Sequence, residues 1–510
     1  MSEVLVVGAG PTGLATGCLL RAAGVDVRVV DRRPELSGPE DSVLLWSATL
    51  GALGEIGVGP PVQLAGRAVH AARYVDRGRV LARVPLQGEH PHLQPVVLGR
   101  ATLQRLLCER LAQLGVRVEW DTEALQIGTS GHGVSLVLDR RGHRAEAGAA
   151  YVVGCDGADS TVRGAAGVGW EDVGAAGDGD SAYAEIEART RLDASTAHVF
   201  RSGGGVVMLL PTAAGTWSVV GYARDLQWGP RPGTAQLQAL LDSCGAAGLV
   251  RARRVVSFVP GDGSRGVAAT YRAGRLLLAG AAAHAHPSRG GEGLNLGLQD
   301  AHNLAWKLAL VVRGAARDRL LDSYDAERRP VARAALRDTA AEERRVLAGE
   351  SRMARWVRGS VPAQLRRDGE LEHRLARAAV ADADYTGSPL TTGSRLAGAD
   401  HVPGRPFRVA PGVDAAAAVR GDGAITLVLV AGRDGPAATL PVLHAVADRH
   451  APRVRALAVP GAPGTGARPA AGYVLGVRPD GHIGYRGPAS DRGSLEAWLR
   501  DGVGLLPGRG

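Results

Sequence analysis

The sequence predicts an α/β protein in which a Rossmann-like nucleotide-binding domain is interleaved with an antiparallel-sheet domain and followed by a separate C-terminal unit. Three features carry this expectation. The first is an apolar strand at Val4–Val7 that runs into Gly8-Ala9-Gly10-Pro11-Thr12-Gly13, then a helix bearing Leu14, Ala15, Leu19, Leu20 and Ala23, then a strand at Val25–Val30 ending on Asp31. Strand, G-x-G-x-x-G, helix, strand and acid in this order form a dinucleotide fingerprint in its required context. The second is a short apolar run, Leu276-Leu277-Leu278-Ala279, ended by Gly280 and followed by a loop containing Pro287, Gly290, Gly291 and Gly293. A helix follows, whose apolar residues Leu294, Leu298, Ala301, Ala305, Leu308 and Val312 recur four and three apart, with Gly314 as C-cap. The third is the period-two patterning of residues 69–84, 180–225 and 250–260, which reads as antiparallel sheet away from the first domain.

Length and composition bound the remaining classes. At 510 residues the chain exceeds one core, so two or three domains are expected. No stretch approaches the ~20 apolar residues needed to span a bilayer, and the chain enters its first strand without a basic leader, so a cytoplasmic protein is expected. The net charge is +9, but the arginines are spread along the chain and Lys307 is the only lysine. Dispersed arginine argues against a nucleic-acid face. The four cysteines, Cys18, Cys108, Cys155 and Cys244, have neither metal-type spacing nor a C-x-x-C pair, so no metal site is expected.

In chain order, residues 44–57 read as helical around Leu45, Ala48, Leu53 and Ile56, and Arg100–Leu114 as an amphipathic helix. Strands are expected at Val116–Trp120, Val134–Leu138 and Ala150–Gly154, the last leading into Cys155-Asp156-Gly157-Ala158-Asp159-Ser160. Ser323–Ala348 reads as helix and 351–395 as polar linker. A last unit, starting near Gly393, carries strands at Ile425–Val430 and Val454–Val459, a hairpin through Val474–Val477 and Ile483–Tyr485, and a helix at Leu495–Leu499.

The chemistry follows from the two glycine loops. Glycines before a helix allow a ligand to lie on the backbone, and the helix N-terminus offers N–H groups with a partial positive charge. Pyrophosphate suits the first loop. The anionic N1–C2=O edge of a reduced isoalloxazine ring suits the second.

These three motifs in this order, with Gly154-Cys155-Asp156-Gly157-Ala158-Asp159-Ser160 between the glycine loops, resemble the single-component FAD-dependent aromatic hydroxylases, of para-hydroxybenzoate hydroxylase-like fold. The branch acting on aromatic polyketides is the nearest in pattern. The resemblance implies an FAD-binding domain from 1–70, 100–175 and 270–350, a substrate-binding sheet domain from 71–99 and 176–269, a helical linker at 351–392, and a thioredoxin-like domain without redox cysteines at 393–510. It implies that the ADP half of FAD rests on Gly8, Gly10, Gly13 and Asp31, with Pro11, Thr12 and Arg32 beside them. Arg100, Asp156, Gly157 and Gly280 follow along the cofactor, and the ring lies near Pro287, Gly290, Gly291, Gly293, Leu294 and Asn295. NADPH would reduce the flavin, and one atom of O2 would pass to a polycyclic aromatic polyketide in secondary-metabolite (antibiotic) biosynthesis, by hydroxylation or Baeyer–Villiger insertion. A monomer or homodimer without nucleic-acid or membrane partners is expected.

Four positions depart from that pattern. Ala281 stands where the family has an aspartate for a ribityl or ribose hydroxyl. Glu292 replaces glutamine, adding negative charge beside the ring. Ala48 and the region of Asp41 lack expected arginines, and Arg100, in place of glutamine, returns one positive charge. Each lost charged hydrogen bond costs roughly 1.5–3 kcal/mol. The alternative reading is therefore a redox-neutral cyclase or dehydratase on the same fold, with FAD structural or lost. A third is a binding subunit without activity. Met208, Trp217, Tyr222 and Phe258 are the expected substrate-wall residues, and Glu292, His284 and His286 the acid/base candidates, each with core packing or loop structure as the plainer account.

Overall fold

The computed structural model describes residues 2–36, 41–86, 93–173, 180–202, 205–223, 228, 232–260, 265–285, 291–347, 383–393, 401–407, 423–430, 439–459 and 472–506. Four parallel strands, Leu276–Leu278, His143–Gly154, Ser2–Val7 and Val27–Val30, lie side by side in that order. Their apolar residues are buried on both faces, Val4, Leu5, Val6, Val152 and Leu277 completely, as a covered parallel sheet requires. Antiparallel strands Thr122–Thr129, Val134–Arg140 and Arg272–Ala273 extend it. The helix Pro11–Ala22 packs against both Arg100–Gln113 and Glu292–Val312.

A second sheet runs Val250–Pro260, Asp180–Thr190, Trp217–Ala223, Gly205–Pro211, Thr196–Ser202, Ala71–Asp76, Arg79–Pro85. It is antiparallel except where Thr196–Ser202 lies parallel to Ala71–Asp76. One face is covered by Leu237, Leu240 and Leu241 of the helix Thr234–Ser243. The opposite face meets a small third sheet, in which Ser42–Leu45 pairs with Val96–Gly99. Ser218 Oγ donates to the Ser42 carbonyl at 3.2 Å across that junction.

Two expected elements change. Of the helix expected over 44–57, residues 44 and 45 belong instead to the strand Ser42–Leu45, and the helix begins only at Ser47. The cause is pairing with Val96–Gly99, which a local apolar pattern does not display. In the expected strand Val116–Trp120, only Glu119 makes a bridge, to Val30.

The C-terminal unit is a mixed sheet ordered Thr392–Gly393, Ile483–Pro488, Tyr473–Val477, Ile425–Val430, Val454–Val459, with helices Leu440–Asp448 and Arg492–Ala497. The linker expected at 351–392 lies outside the described residues up to 382. The unit packs on Trp306 and Leu310 of the helix Glu292–Val312 and joins it through buried charge. Arg478 donates to both carboxylate oxygens of Glu327, at 2.5 and 2.8 Å, and also pairs with Asp480. Lys307 Nζ reaches Glu327 at 2.7 Å and Asn303 at 2.8 Å. All four charged side chains are 0–2 % exposed. Burial works to raise the Glu327 pKa, but Arg478 and Lys307 overcome it and hold the carboxyl at about 2. Burial pulls Lys307 down to about 8.

Among the described residues no helix is long and apolar enough to cross a membrane.

Candidate functional site

All four parallel strands deliver their C-terminal ends to one crevice, the usual ligand position in such sheets. Val7 leads to Gly8, Val30 to Asp31, Gly154 to Asp156, and Leu278 to Gly280. Gly8 has φ +103°, and a Cβ there would lie 2.3 Å from the Cys155 carbonyl oxygen. A Cβ on Gly13 would lie 1.9 Å from the Gly8 oxygen. These two glycines are demanded by the turn itself. Gly10 differs: its backbone is extended, and a Cβ there would meet nothing within 4 Å. The space is open directly above the N-terminus of the helix Pro11–Ala22. Leu14 is the first residue to donate within that helix, to Gly10 at 2.9 Å, so the N–H groups of Thr12 and Gly13 have no intrahelical acceptor. Thr12 wedges against the next motif, where a Cβ on Gly280 or Gly297 would lie 2.6 or 2.4 Å from its Oγ1.

Asp31 is buried and accepts from the Ala9 N–H at 2.6 Å and the Arg33 N–H at 2.9 Å, with the Arg33 guanidinium paired to it at 2.9 Å. Burial opposes its charge, but Arg33 and the backbone donors hold its carboxyl below the ordinary aspartate range. Arg33, not the exposed Arg32, is thus the arginine on the acid; its signal in the sequence was only its place two residues later. Asp156 accepts from Ser160 Oγ at 2.6 Å and the Val162 N–H at 3.2 Å, and burial pushes its carboxyl up. Its side chain secures the short helix Thr161–Ala165, while Gly157, at φ +90°, again has open space where a Cβ would be.

The second glycine loop is described only in part; His286, Pro287 and Gly290 lie outside the described residues. Gly291 caps the helix Glu292–Val312 at φ +92°, and a Cβ there would lie 2.6 Å from Val43 Cβ. Gly293 and Leu294 follow in the first turn, half-buried, where N–H groups lack helical acceptors. The Asn295 side chain accepts from the Trp46 N–H at 3.1 Å and Thr49 Oγ1 at 2.8 Å, and donates to the carbonyls of Leu44 and Gly291 at 2.8 and 2.9 Å. Its amide ties the helix start to residues 44–49, so any contribution to a ligand comes from its surroundings, not from its side chain. Glu292 is approached by Thr339 Oγ1 of the helix Asp322–Leu347 at 3.5 Å.

His284 does not have the access a base for substrate requires. Its ring is 1 % exposed, with Nε2 at 2.8 Å from Asp300 Oδ2. The same carboxylate oxygen accepts the Gly280 N–H at 3.1 Å, and Arg328 Nε reaches Oδ1 at 2.7 Å. Arg328 continues to the Leu296 carbonyl and to the hydroxyl of Tyr385. Burial opposes the Asp300 charge, yet Arg328 and His284 keep its pKa low. This fully buried chain fixes the backbone at Gly280. Asp300 and Arg328 were not singled out from sequence, because a polar stripe on a helix reads as solvent-facing until its partner helix is known.

Ala281 is exposed and Ala48 half-exposed. Arg100 is paired with Asp41, Nη2 to Oδ2 at 2.6 Å. Its charge is therefore matched locally instead of standing free for the cofactor.

Of the expected substrate wall, the sheet register separates two residues from the other two. Trp217 and Phe258 pack into the layer under the helix Thr234–Ser243. They belong to that core and not to a cavity facing the crevice. Met208 and Tyr222 alternate onto the opposite face, where Met208 packs against the core cluster that holds Leu44 and Val97. Trp46, half-buried and tied to Asn295, joins them there as a residue that sequence reasoning passed over.

The family comparison agrees with this geometry. A model described as "FAD binding domain" matches residues 1–339, and the chain belongs to that family. It is 35 % identical over 342 residues to 6-methylpretetramide 4-monooxygenase of Streptomyces rimosus, a match covering 64 % of this chain and 59 % of that protein. Among solved structures, it superimposes on the anhydrotetracycline hydroxylase OxyS from Streptomyces rimosus with TM-score 0.71 at 25 % identity, covering 99 % of this chain and 100 % of that one. The Diels–Alderase PyrE3 of pyrroindomycin biosynthesis gives TM-score 0.70 at 26 % identity, covering 99 % of this chain and 100 % of that one. The residues present fit the group the family binds: the open space at Gly10 above unbonded helix N–H groups is the cradle a pyrophosphate needs.

Proposed function

We propose that the protein is an FAD- and NADPH-dependent monooxygenase that hydroxylates, or inserts oxygen into, a polycyclic aromatic polyketide. The open cradle at Gly10, set between Asp31 and Gly280 at the strand ends, is the observation that carries the reading. Bound FAD supplies the redox chemistry with O2 and the nicotinamide donor. The chain's own part is to bind and orient. Thr12 and Gly13 present N–H groups to the pyrophosphate, Asp31 accepts from a ribose hydroxyl once Arg33 gives way, and the backbone at Gly280 is held by Asp300. At the start of the helix Glu292–Val312, the backbone of Gly291, Gly293 and Leu294 would hold the ring of bound FAD. Met208, Tyr222 and Trp46 face the substrate. The C-terminal sheet is an accessory unit of thioredoxin-like kind, and since every cysteine precedes it, it carries no redox dithiol.

The test is direct. The purified protein should carry a flavin spectrum, and a tetracyclic phenolic polyketide should stimulate NADPH oxidation with ¹⁸O from ¹⁸O2 appearing in the product. The similarity to a Diels–Alderase, with Ala281 exposed where a carboxylate is expected, favours one second reading, a redox-neutral ring closure. Turnover by flavin-free protein without O2 or NADPH would establish that reading instead.

Glu292 bears on the same question. Its negative charge stands in the first turn beside the ring position. Glu292→Gln should tighten binding of reduced flavin several-fold and raise the flavin reduction potential, at a stability cost below about 1 kcal/mol from the helix end. Loss of turnover with unchanged flavin affinity and potential would instead make Glu292 an acid/base group.

A further inference from the structure

We propose that Glu185 selects the substrate by accepting the hydrogen of a phenolic or enolic hydroxyl, so that the protein takes neutral polycyclic phenols and rejects aromatic carboxylic acids; this rests on the monooxygenase reading above. The strand register places this carboxylate. Ala184 and Ile186 are buried in the layer under the helix Thr234–Ser243, so Glu185 between them turns to the opposite face of the sheet. It stands directly across from Ser218, and Ser218 in turn from Leu210. The small third sheet covers this row from one side. Leu210 shares a core cluster with Leu44, and Ser218 meets Ser42 in the strand at that sheet's edge. Glu185 is one strand further out, half-buried, on the face that carries Met208 and Tyr222.

One oxygen of Glu185 is committed and the other is not. Thr216 Oγ1 donates to Oε1. A hydroxyl has one hydrogen to give, so in the 2.6 Å contact between Thr212 and Thr216 the donor is Thr212. The turn between the two threonines, closed by the Thr212 N–H on the Thr216 carbonyl at 3.0 Å, holds this chain of hydroxyls in place. It runs towards the carboxylate and orients it. Oε2 accepts from no described residue and is not sealed within the protein. Among the described residues no cation pairs with Glu185. Glu187, further along the same face, is matched by Arg254, and Asp76 of the same sheet by Arg201 at 3.2 Å. Glu185 therefore keeps its charge and one strong acceptor position for a ligand. Whatever completes Oε2 must bring a hydrogen, and a bond to a charged acceptor is the stronger kind. A ketone, quinone or ether oxygen has no hydrogen to give, and a second carboxylate is repelled. Of the oxygen groups that a polycyclic aromatic polyketide carries, a hydroxyl fits.

The experiment titrates full-length, FAD-loaded protein at about pH 6 with 2-hydroxyanthraquinone, its methyl ether 2-methoxyanthraquinone and anthraquinone-2-carboxylate, following the absorbance of each probe. At that pH the phenol is neutral and the carboxylic acid ionised. The wild type should bind the phenol about tenfold to a hundredfold more tightly than the ether, as one hydrogen bond to a charged group gives, and the carboxylate most weakly of the three. Glu185→Gln keeps an acceptor for Thr216 and puts an amide N–H where Oε2 was. It should lose the preference for phenol over ether and bind the carboxylate at least about tenfold more tightly than the wild type does, an inversion that a change in packing does not produce. Where that variant folds poorly, the wild type decides alone. Its bound 2-hydroxyanthraquinone should ionise at a higher pH than the free dye, because Oε2 favours the form that donates, and ionisation at the free-dye pH or below overturns the proposal. Equal affinity of the wild type for phenol and ether, as a water held on Oε2 would give, also overturns it and leaves the monooxygenase reading standing. So does a preference for the phenol that survives in Glu185→Gln. A wild type that binds none of the three probes overturns the polycyclic-aromatic reading itself, and the selection by Glu185 with it.

Discussion

Arg478→Met is expected to destabilise the protein by about 3–5 kcal/mol, because it leaves Glu327 and Asp480 buried without their shared cation. Domains are stable by only about 5–15 kcal/mol, so the melting temperature should fall by many degrees. The effect is not one of volume, since methionine fills most of the space beside Trp306 and Tyr385, whose rings the guanidinium faces at 5.4 and 5.2 Å. The acid limb gives an independent reading. Glu327 has a pKa of about 2 in the fold against an ordinary 4.5. A carboxyl depressed in this way contributes stability that is fully present above 4.5 and is lost as pH falls from there towards 2. Removing Arg478 takes away the largest cause of that depression, so near-ultraviolet dichroism should show the variant losing tertiary structure at a higher pH than the wild type. Adding Glu327→Gln to Arg478→Met should recover part of the loss at neutral pH. A variant melting within a degree of the wild type would mean that water or a rearranged Lys307 takes over the carboxylates. Because the cluster bridges the helix Asp322–Leu347 and the C-terminal sheet, the same loss should loosen that sheet from the rest of the molecule.

How much of this was legible in the sequence depended on the range of the interactions. The turn demands glycine at Gly8, through its φ of +103°, and at Gly13, through the Gly8 carbonyl, and the strand, helix and acid around it stand where the spacing puts them. The helix Glu292–Val312 likewise follows from its apolar stripe and from Gly314, whose φ of +63° ends it. Leu44 and Leu45 read as helix because strand pairing to Val96–Gly99 is non-local, and buried apolar residues look alike in either element. Period two predicted the sheet of residues 180–260 but not which face the helix Thr234–Ser243 would cover, so Trp217 and Phe258 could not be told from Met208 and Tyr222. The polar residues Asp300, Asn303 and Lys307 form a second stripe on their helix. Only the structure shows that this stripe is buried against Glu327 and Arg328. His284 stands among the acid/base candidates in the sequence for the same reason: its partner lies sixteen residues further on.

Gly10→Val should separate binding from folding more sharply than any other single change. Position 10 has φ −68° and ψ 175°, a conformation valine adopts freely, and a Cβ there meets no protein atom within 4 Å. The fold should therefore lose less than about 1 kcal/mol, the usual margin between glycine and a branched residue at a helix start. The new side chain nevertheless fills the open space from which an anion would reach the N–H groups of Thr12 and Gly13. FAD affinity should fall at least about a hundredfold, equivalent to about 2.7 kcal/mol, in a protein whose melting curve without FAD is nearly that of the wild type. Gly13→Ala supplies the contrast. Its Cβ would overlap the Gly8 carbonyl at 1.9 Å, so that variant should lose stability and binding together. Calorimetry on both apoproteins and fluorescence titration with FAD distinguish the two patterns. If Gly10→Val bound FAD as the wild type does, the pyrophosphate would not cross the helix start at Gly10, and the cradle would have to be sought along Gly157.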